Sequence, residues 1–528
     1  IFSKFGLHEH IERSRYNCKT VLLLLTVLRG ADCFKALFLF PFPGKSHFGA
    51  LSVLAEELAR KGHDVTVLTH FPNKEASYKE IVMDTKPFDD FMKQDVNVTE
   101  MGTLNPLMMR AILFPIFNTV AELLYASGPF RELIASKERY DVVLGEVTFF
   151  MPCILAFGHK FSAPVIDLSA ASVMISIASA PFSFSYIPDG MLPLSDSMNF
   201  MERLENTVVG LWELAGYHWY FLPAQEKMLR RHFVYPGSEN MPSLREMAKN
   251  VSLLLLNSHF SIGYPRPYPP NMIDVAGMHL KPIKNCPSLQ DFMDGAKNGV
   301  IYVSFGTVIK EDMLGEARLL AIVDALSRLK QRVIIKWKDP EPFKDAKNVL
   351  TLPFAPQQEI LAHPNLVLFV THGGYNSLIE AAHAGVPVLG IPVVADQFRN
   401  IRLYEAYGMG TGFLLSELSG DHLYKSILHM INTPSYKENA KKVSWRTKDR
   451  PLSPLDTAVY WVEYVVRHNG APHLRPASVK LSFYQYLLLD VIAFIALVLF
   501  LIYKLIRIVC CSKSRSHSTI KHTAKKTN

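Results

Sequence analysis

The fold of this chain is decided by the stretch Leu366-Val-Leu-Phe-Val-Thr-His-Gly-Gly-Tyr-Asn-Ser-Leu-Ile-Glu380. The apolar run 366–370 is typical of a buried strand, and residues 375–384 have the apolar spacing of a helix. The next run, Pro387-Val-Leu-Gly-Ile391, predicts another buried strand. A strand, a helix and a second strand in this order form a βαβ unit with parallel strands.

The same alternation occurs on both sides of this stretch. Further strands are predicted at 36–42, 64–69, 140–144, 163–167, 299–305 and 332–336. This pattern predicts an α/β protein with two doubly wound, Rossmann-like domains that face each other across a cleft. The Pro-rich stretch 264–270 favours domains at 34–270 and 271–450, followed by a return helix and stalk at 451–485.

Composition indicates a folded protein whose positive charge lies at its ends. Of 528 residues, 49% are hydrophobic and 20% are charged, which excludes a disordered chain and a multi-span membrane protein. Removing the seven positive charges of residues 504–528 and the net two of residues 1–33 from the total of +8 leaves −1 on residues 34–503. We therefore expect no nucleic-acid partner.

Both ends carry predicted targeting segments. Residues 1–33 have the pattern of a secretory signal peptide, because basic residues precede the apolar run 21–28 and small residues follow it. Residues 486–503 contain one charge, Asp490, and are long enough for a transmembrane helix. The basic tail 504–528 then predicts a single-pass type I membrane protein with a lumenal body and a cytosolic tail.

Short motifs indicate the endoplasmic reticulum membrane. The terminal Lys525-Lys526-Thr527-Asn528 resembles a dilysine retrieval signal, although a solvated charge cluster has the same pattern. Asn97-Val-Thr99 and Asn250-Val-Ser252 match the acceptor pattern for N-glycosylation. We therefore expect a glycoprotein of that membrane.

Two features leave alternatives open. Residues 180–250 are rich in aromatic and aliphatic side chains without a steady period, which fits either a pocket lining or a packed helical insertion. Cys153 and Cys286 are the two cysteines of the body, and two unpaired thiols are favoured over a bridge between them.

Polar side chains collect at consecutive strand ends of the second half. They are His372, Asn376, Ser377, Glu380, Asp396 and Gln397. Glycines allow close backbone approach, and a helix N-terminus with unpaired N–H groups favours an anion such as a diphosphate. Because ligands of open α/β sheets bind at strand ends, the sequence predicts a phosphate-containing ligand here.

The segment 354–397 resembles the signature of UDP-glycosyltransferases, and the similarity extends over nearly the whole chain. Other counterparts are Phe-Pro-Phe-Pro-Gly-Lys-Ser-His47, Leu-Leu-Asn-Ser-His259, Val-Ser-Phe-Gly-Thr307 and the single C-terminal span. The Gly-Lys-Ser-His loop is more similar to invertebrate members than to vertebrate glucuronosyl enzymes. The resemblance implies a GT-B fold whose C-terminal half binds a UDP-sugar and whose N-terminal half binds the acceptor.

The resemblance also implies roles for residues of the donor site. Phe354 and Gln357 would hold the uracil, and Glu380 the ribose hydroxyls. The diphosphate would be surrounded by Ser304, Thr307, His372, Gly374, Asn376 and Ser377, and the sugar hydroxyls would be bound by Asp396 and Gln397. The family usually has Trp where this chain has Phe354, so base stacking is kept with a smaller ring.

A histidine and a carboxylate are the expected catalytic pair. A neutral His47 imidazole just past the first strand can take the proton of an acceptor hydroxyl. The family places Asp after the strand 140–144, where this chain has Glu146, one methylene longer. Glu146 is therefore expected to orient His47, as an acid does in hydrolase triads, and Asp141 is the fallback.

The reaction implied is an inverting transfer of a hexose from a UDP-sugar to a hydroxyl of small lipophilic acceptors. Glucose is favoured because of the invertebrate-like loop. We expect no metal and no cofactor beyond the co-substrate, so helix dipole and side-chain donors must stabilise the departing UDP. A noncatalytic single-span binding protein and a lipid or polysaccharide glycosyltransferase remain as alternatives, and a homo-oligomer is left open.

Overall fold

The computed structural model describes residues 33–95, 98–171, 183–284, 286–307 and 311–523. These residues form two compact units, one ending at Arg475 and one beginning at Pro476. The predicted signal segment up to residue 32, Asn97 of the first glycosylation motif, and Lys525 and Lys526 of the tail lie outside the described residues.

A first sheet is formed by parallel strands of the described residues. They are β1 Lys35–Leu39, β2 Asp64–Thr69, β3 Lys79–Val82, β4 Val142–Gly145, β5 Val165–Ser169, β6 Leu253–Leu256 and β7 Met272–Asp274. Their order is β3-β2-β1-β4-β5-β6-β7. The strand order reverses between β1 and β4, and such a switch point opens a crevice at the carboxyl ends of the strands.

A second parallel sheet repeats this arrangement. Its strands are β8 Val300–Ser304, β9 Arg332–Lys336, β10 Val349–Leu352, β11 Leu366–Thr371, β12 Val388–Gly390 and β13 Gly410–Gly412. Their order is β10-β9-β8-β11-β12-β13, so the equivalent switch point lies between β8 and β11.

Helices connect the strands of both sheets. Those of the first half are α1 Lys45–Arg60, α2 Lys86–Asp95, α3 Val98–Met101, α4 Pro106–Ala126, α5 Gly128–Ala135, α6 Ile154–Phe161, α7 Phe200–Gly216, α8 Leu222–His232 and α9 Leu244–Ala248. Those that follow are α10 Pro287–Asp294, α11 Glu311–Leu314, α12 Glu316–Ser327, α13 Gln357–Ala362, α14 Tyr375–Ala384, α15 Gln397–Ala406, α16 Gly420–Asn432, α17 Pro434–Lys448 and α18 Pro454–Arg467. The second unit contains α19 Phe483–Tyr486 and α20 Leu489–Thr523.

Each sheet has an apolar core on both faces. Leu37 and Leu39 of β1 pack on one face, and Ala36 and Phe38 pack on the other. Successive side chains of a strand point to opposite faces, so a strand covered on both sides is a continuous apolar run. In the second sheet, Tyr302 of β8 packs on one face, and the adjacent Ile301 and Val303 pack on the other.

The chain returns to the first sheet after completing the second. Strand β7 pairs with β6, so the first sheet extends to Asp274, past the expected boundary at 270. Helix α18 packs Ala458 and Val462 into the same core as Leu51 of α1. We call the first sheet with α1–α9 and α18 the first lobe, and the second sheet with α10–α17 the second lobe.

Helix α1 begins earlier than the sequence indicates. The sequence predicts a loop at 44–47, whereas Lys45, Ser46 and His47 form the first turn of α1 after an extended Gly44. Apolar residues at helical spacing, Leu51, Leu54, Ala55 and Leu58, are buried in this helix. His47 is therefore held by a helix rather than by a loop.

The described part of 180–250 is largely helical. Helix α7 continues through a π-helical turn, Tyr217–Phe221, into α8. Phe221 and Leu229 are buried, while Met201 and Trp219 are exposed. This region therefore combines a packed helical insertion with exposed apolar side chains.

The two cysteines of the body lie in different cores. Cys153 is buried in the first lobe, and Cys286 packs against the core of the second lobe. The two thiols are not bridged to each other.

The second unit contains the predicted apolar helix, shifted along the chain. Residues Leu489–Ile508 have a mean hydropathy of 2.5 and are long and apolar enough to cross a membrane. The expected span, 486–503, starts three residues earlier, but the short helix α19 ends at Tyr486 and Leu488 has a positive φ of 56°. Helix α4 passes the same length and hydropathy criteria, yet it packs Phe114, Phe117 and Val120 into the first-lobe core.

Candidate active site

The expected catalytic pair is formed where β1 and β4 end. His47, in the first turn of α1, donates from Nδ1 to the carboxylate of Glu146, whose two oxygens both lie 3.0 Å away. Glu146 directly follows β4 and is 4% exposed. The N–H of Ala170 donates to the same carboxylate at 3.1 Å, which fixes its orientation.

The charges around His47 favour its protonated form. Burial lowers the pKa of His47, but the Glu146 carboxylate, its hydrogen bond and the charge of Asp396 outweigh this and raise the pKa above its ordinary value. With Nδ1 bound to Glu146, the neutral ring carries its lone pair on Nε2. Among the described residues, Nε2 makes no hydrogen bond, so it is the nitrogen that can accept a proton from a ligand.

Aromatic rings surround the imidazole. The ring of Phe149 lies 4.3 Å from that of His47, and Phe42 lies 5.6 Å from it, measured between centroids. Phe88 and Phe117 extend this cluster beyond Phe42. An apolar ligand with one hydroxyl fits such surroundings, because the rings bury its hydrocarbon part.

The fallback acid lies away from this pair. Asp141 is exposed and accepts the N–H of Lys35 at 2.7 Å, at the start of β1, so it does not contact His47. A different acid, Asp167 of β5, is buried near Glu146, and burial raises its pKa well above the usual range. It lies in the middle of β5 but is the last residue of the predicted strand 163–167, and that position is the signal by which the sequence could have indicated it.

Two glycines hold His372 in a narrow slot beside α14. A Cβ built on Gly306 would lie 2.5 Å from Cε1 of His372, and one built on Gly374 would lie 2.5 Å from Nε2. Burial lowers the pKa of His372 to about 4, so the ring is neutral at physiological pH. Lys336 donates from Nζ to the carbonyl of Gly306 at 2.7 Å and brings a positive charge to this turn.

The other residues expected around the diphosphate lie on the same edge of the second sheet. Ser304 ends β8, is buried, and accepts the N–H of Gly306 at 3.3 Å. Thr307 is exposed in the loop that follows. Ser304 is paired with Thr371 at the end of β11, so it lies on the same sheet edge as the first turn of α14, whose N–H groups have no side-chain cap and suit an anion.

A hydrogen-bonded set joins α13 to α14. Gln357 donates to Ser377 Oγ at 3.0 Å and to Glu380 Oε2 at 2.7 Å, and its own oxygen accepts from Tyr302 at 3.2 Å. Ser377 was expected beside the diphosphate. In the structure its Oγ contacts Gln357, a residue expected to hold the uracil. Phe354 is 76% exposed at the edge of this set.

Asp396 and Gln397 differ in what they leave for a ligand. The side-chain oxygen of Gln397 accepts the N–H groups of Val393 and Val394 at 2.8 and 3.0 Å, so it holds the loop before α15. One oxygen of Asp396 accepts from Asn400 at 2.8 Å. Asp396 lies close enough to His47 for each charge to shift the pKa of the other.

Asn376 links the two lobes. Its Nδ2 donates to the carbonyl of Ser46 at 3.0 Å, and its Oδ1 accepts from Asn257 at 2.7 Å. Asn257 follows β6 and is 1% exposed. It was not among the expected site residues, although it is polar and directly follows an apolar strand.

The sequence of this chain is similar to those of known glycosyltransferases. The family described as "UDP-glucoronosyl and UDP-glucosyl transferase" matches residues 37–526. UDP-glycosyltransferase UGT5 of Dactylopius coccus is 36% identical over 489 residues, covering 90% of this chain and 92% of its own. UDP-glucosyltransferase 2 of the same organism is 34% identical, with 90% and 91% covered. The 2-hydroxyacylsphingosine 1-beta-galactosyltransferase of Homo sapiens is 30% identical, with 90% and 88% covered.

Solved structures with this fold are also glycosyltransferases. The glycosyltransferase VinC in complex with dTDP superposes with a TM-score of 0.56 at 15% identity and covers 82% of this chain and 100% of its own. The calicheamicin glycosyltransferase CalG4 gives 0.56 at 16% identity, with 83% and 99% covered. At these identities the likeness concerns the fold, which is the expected GT-B type. The match over residues 37–526 shows that the chain belongs to the family of UDP-glucuronosyl and UDP-glucosyl transferases and is a transferase.

Proposed function

We propose that this protein transfers a hexose, glucose in the first place, from a UDP-sugar to a hydroxyl of small lipophilic acceptors, with inversion at the anomeric carbon. The observation that carries the proposal is the hydrogen bond between His47 and Glu146. Because Nδ1 of His47 is bound to Glu146, Nε2 is the nitrogen left to accept a proton from a ligand. The aromatic rings beside it support a lipophilic acceptor.

The proposed step is one displacement. Nε2 of His47 takes the hydroxyl proton while the acceptor oxygen forms a bond to C1, and the bond between C1 and the diphosphate oxygen breaks. Glu146 stabilises the imidazolium that results. General base catalysis of this kind contributes a factor of about 10²–10⁴. The proton later leaves His47 to water.

The departing UDP is proposed to be stabilised by the chain itself, without a metal. The first turn of α14 presents N–H groups to an anion, and Lys336 lies beside the neutral His372 at the Gly306 turn. Gln357 and Glu380 would hold the nucleoside, with Phe354 over the base.

Donor sugar and location belong to the same proposal. The name of the Dactylopius coccus UDP-glucosyltransferase supports glucose as the donor sugar. Because the human relative is named a galactosyltransferase, other UDP-hexoses are also to be assayed. We propose that helix α20 anchors the protein in the endoplasmic reticulum membrane with its body in the lumen. Asn250, the described residue that matches a glycosylation acceptor, is exposed, so it would be accessible for glycosylation in the lumen.

An assay of microsomes with UDP-glucose, UDP-galactose and UDP-glucuronate and a panel of simple phenols tests the function. We expect β-linked product from the wild type and a loss of about 10²–10⁴-fold in His47→Ala. His429→Ala, which removes an exposed histidine of α16, is the control and should keep the rate.

The role of Glu146 has its own variant. Glu146→Gln keeps the shape but removes the charge that raises the pKa of His47, so the acid limb of the pH profile should move to lower pH. Asp141→Asn, which alters the exposed fallback acid, should leave the profile unchanged. A wild-type rate from His47→Ala would show that the base is another group.

A further inference from the structure

The catalytic pair belongs to a closed ring of hydrogen bonds. Glu146 is reached from one side by Ala170, whose N–H donates to it at 3.1 Å. The carbonyl of Ala170 accepts from Nδ2 of Asn257 at 2.9 Å. The backbone of this one residue thus connects the Asn257 amide to the acid of the pair.

The ring is completed through the second lobe. The same Nδ2 of Asn257 donates to Oδ1 of Asn376 at 2.7 Å. Asn376 donates to the carbonyl of Ser46 at 3.0 Å, and Ser46 is bonded to His47. His47 donates to Glu146 at 3.0 Å, which closes the ring.

Asn257 occupies the central place in this ring. Its two Nδ2 hydrogens serve the two branches, one toward the acid and one toward the base. At 1% exposure the amide has no access to bulk water, so water cannot replace either bond. Asn376 is the ring member from the second lobe, so the ring exists only where the lobes are docked.

We propose that Asn257 is a positioning residue that sets the distance and orientation of His47 relative to Glu146 and makes them depend on contact with the second lobe. The inference rests on the proposed role of His47 as general base. Asn257 touches neither reacting atom and acts through Ala170 on one side and Asn376 on the other.

The test replaces the amide by an apolar group of similar shape. Asn257→Leu removes both donors without adding a charge to the surroundings of His47, where Glu146 and Asp396 are the charges that act on the ring. We expect kcat to fall by about 10- to 100-fold, the cost of a displaced catalytic group, and to change more than the KM for the UDP-sugar. The acid limb of the pH profile should move to lower pH because a loosened Glu146 supports the imidazolium less.

A second buried amide supplies the matched control. Asn206 of α7 is fully buried and donates from Nδ2 to two carbonyls, those of Phe184 and Ile187, both at 2.9 Å. Asn206→Leu should lower thermal stability but leave the pH profile of the folded enzyme at its wild-type position. If Asn257→Leu does not fold, Asn257→Ala carries the same expectations.

The outcomes separate this inference from the proposed function. A wild-type pH profile and kcat from folded Asn257→Leu, beside an inactive His47→Ala, overturns the inference alone and leaves Asn257 as a packing residue. A wild-type rate from His47→Ala overturns both. Loss of kcat with a displaced acid limb in Asn257→Leu, absent from Asn206→Leu, supports the inference.

Discussion

At the residue scale, the aromatic side chain expected over the uracil is far more exposed than the polar residues expected beside it. Phe354 is 76% exposed, while the neighbouring Gln357 and Glu380 are held by each other. An exposed ring gains from stacking only when a base covers it, so under the proposed function the size of this ring would set part of the donor affinity.

Phe354→Trp should therefore strengthen binding of UDP and of uridine by a similar factor. The larger ring covers more of the base, and since a whole aromatic pair contributes about 0.5–1.5 kcal/mol, the gain over Phe should lower the Kd by a factor of about two to three. Isothermal titration with both ligands measures the change. Phe260→Trp, which alters another exposed ring, is the control. Unchanged affinity in Phe354→Trp would mean that the base does not stack there.

Individual site residues were predictable to the extent that their roles depend on local sequence. His47 and Glu146 each follow a recognisable strand, and the structure brings them together. Asn257 was not predicted because its partners, Ala170 and Asn376, are distant along the chain and meet only in the tertiary fold. The side-chain oxygen of Gln397 accepts the N–H of Val393, and this contact depends on a backbone turn that the sequence does not specify.

At the scale of elements, a buried charge cluster fastens two helices of the first lobe. Arg110 of α4 donates to Glu213 of α7 at 2.9 Å and also to Asp189 in the preceding loop. All three residues are at most 4% exposed. Two carboxylates share one guanidinium, so burial and the charge of Asp189 raise the pKa of Glu213 to about 7.

This cluster should make the first lobe less stable as pH rises. The folded chain holds the Glu213 proton more tightly than the unfolded chain, so the stabilisation is complete below pH 4.5 and is lost as pH rises through 7. Glu213→Gln cannot titrate, and its melting temperature should fall less than that of the wild type between pH 5 and 8. Glu205→Gln, exposed on the same helix, is the control for differential scanning fluorimetry. Parallel curves for wild type and Glu213→Gln would contradict the argument.

Elements were predicted best where burial imposes a long apolar pattern. The run 366–370 became β11, Leu366–Thr371, and the helix at 375–384 has the expected ends, because both are covered on several sides. The start of α1 was misplaced, since its first turn contains Lys45, Ser46 and His47 and lacks the apolar spacing that marks the rest of the helix.

At the scale of the whole molecule, the first unit is completed by chain that follows both sheets. Helix α18 buries Ala458 and Val462 against α1. Beyond it, Arg475 donates to the carbonyl of Val251 and to Ser252 Oγ, both at 3.3 Å, and ties the last described residue of this unit to the start of β6. The fold therefore requires residues up to 475.

A chain ending at Arg475 should be a folded transferase that no longer stays with the membrane. Removing 476–528 deletes the apolar helix Leu489–Ile508 but no part of the first unit, so kcat with a water-soluble phenol should match that of the full chain. A chain ending at residue 450 is the comparison. It lacks α18, exposes the apolar face of α1 and should aggregate. Carbonate extraction followed by size-exclusion chromatography and an activity assay distinguishes the two. If the chain ending at Arg475 aggregates like the shorter one, the first unit depends on residues beyond 475 and the division of the molecule at that point is wrong.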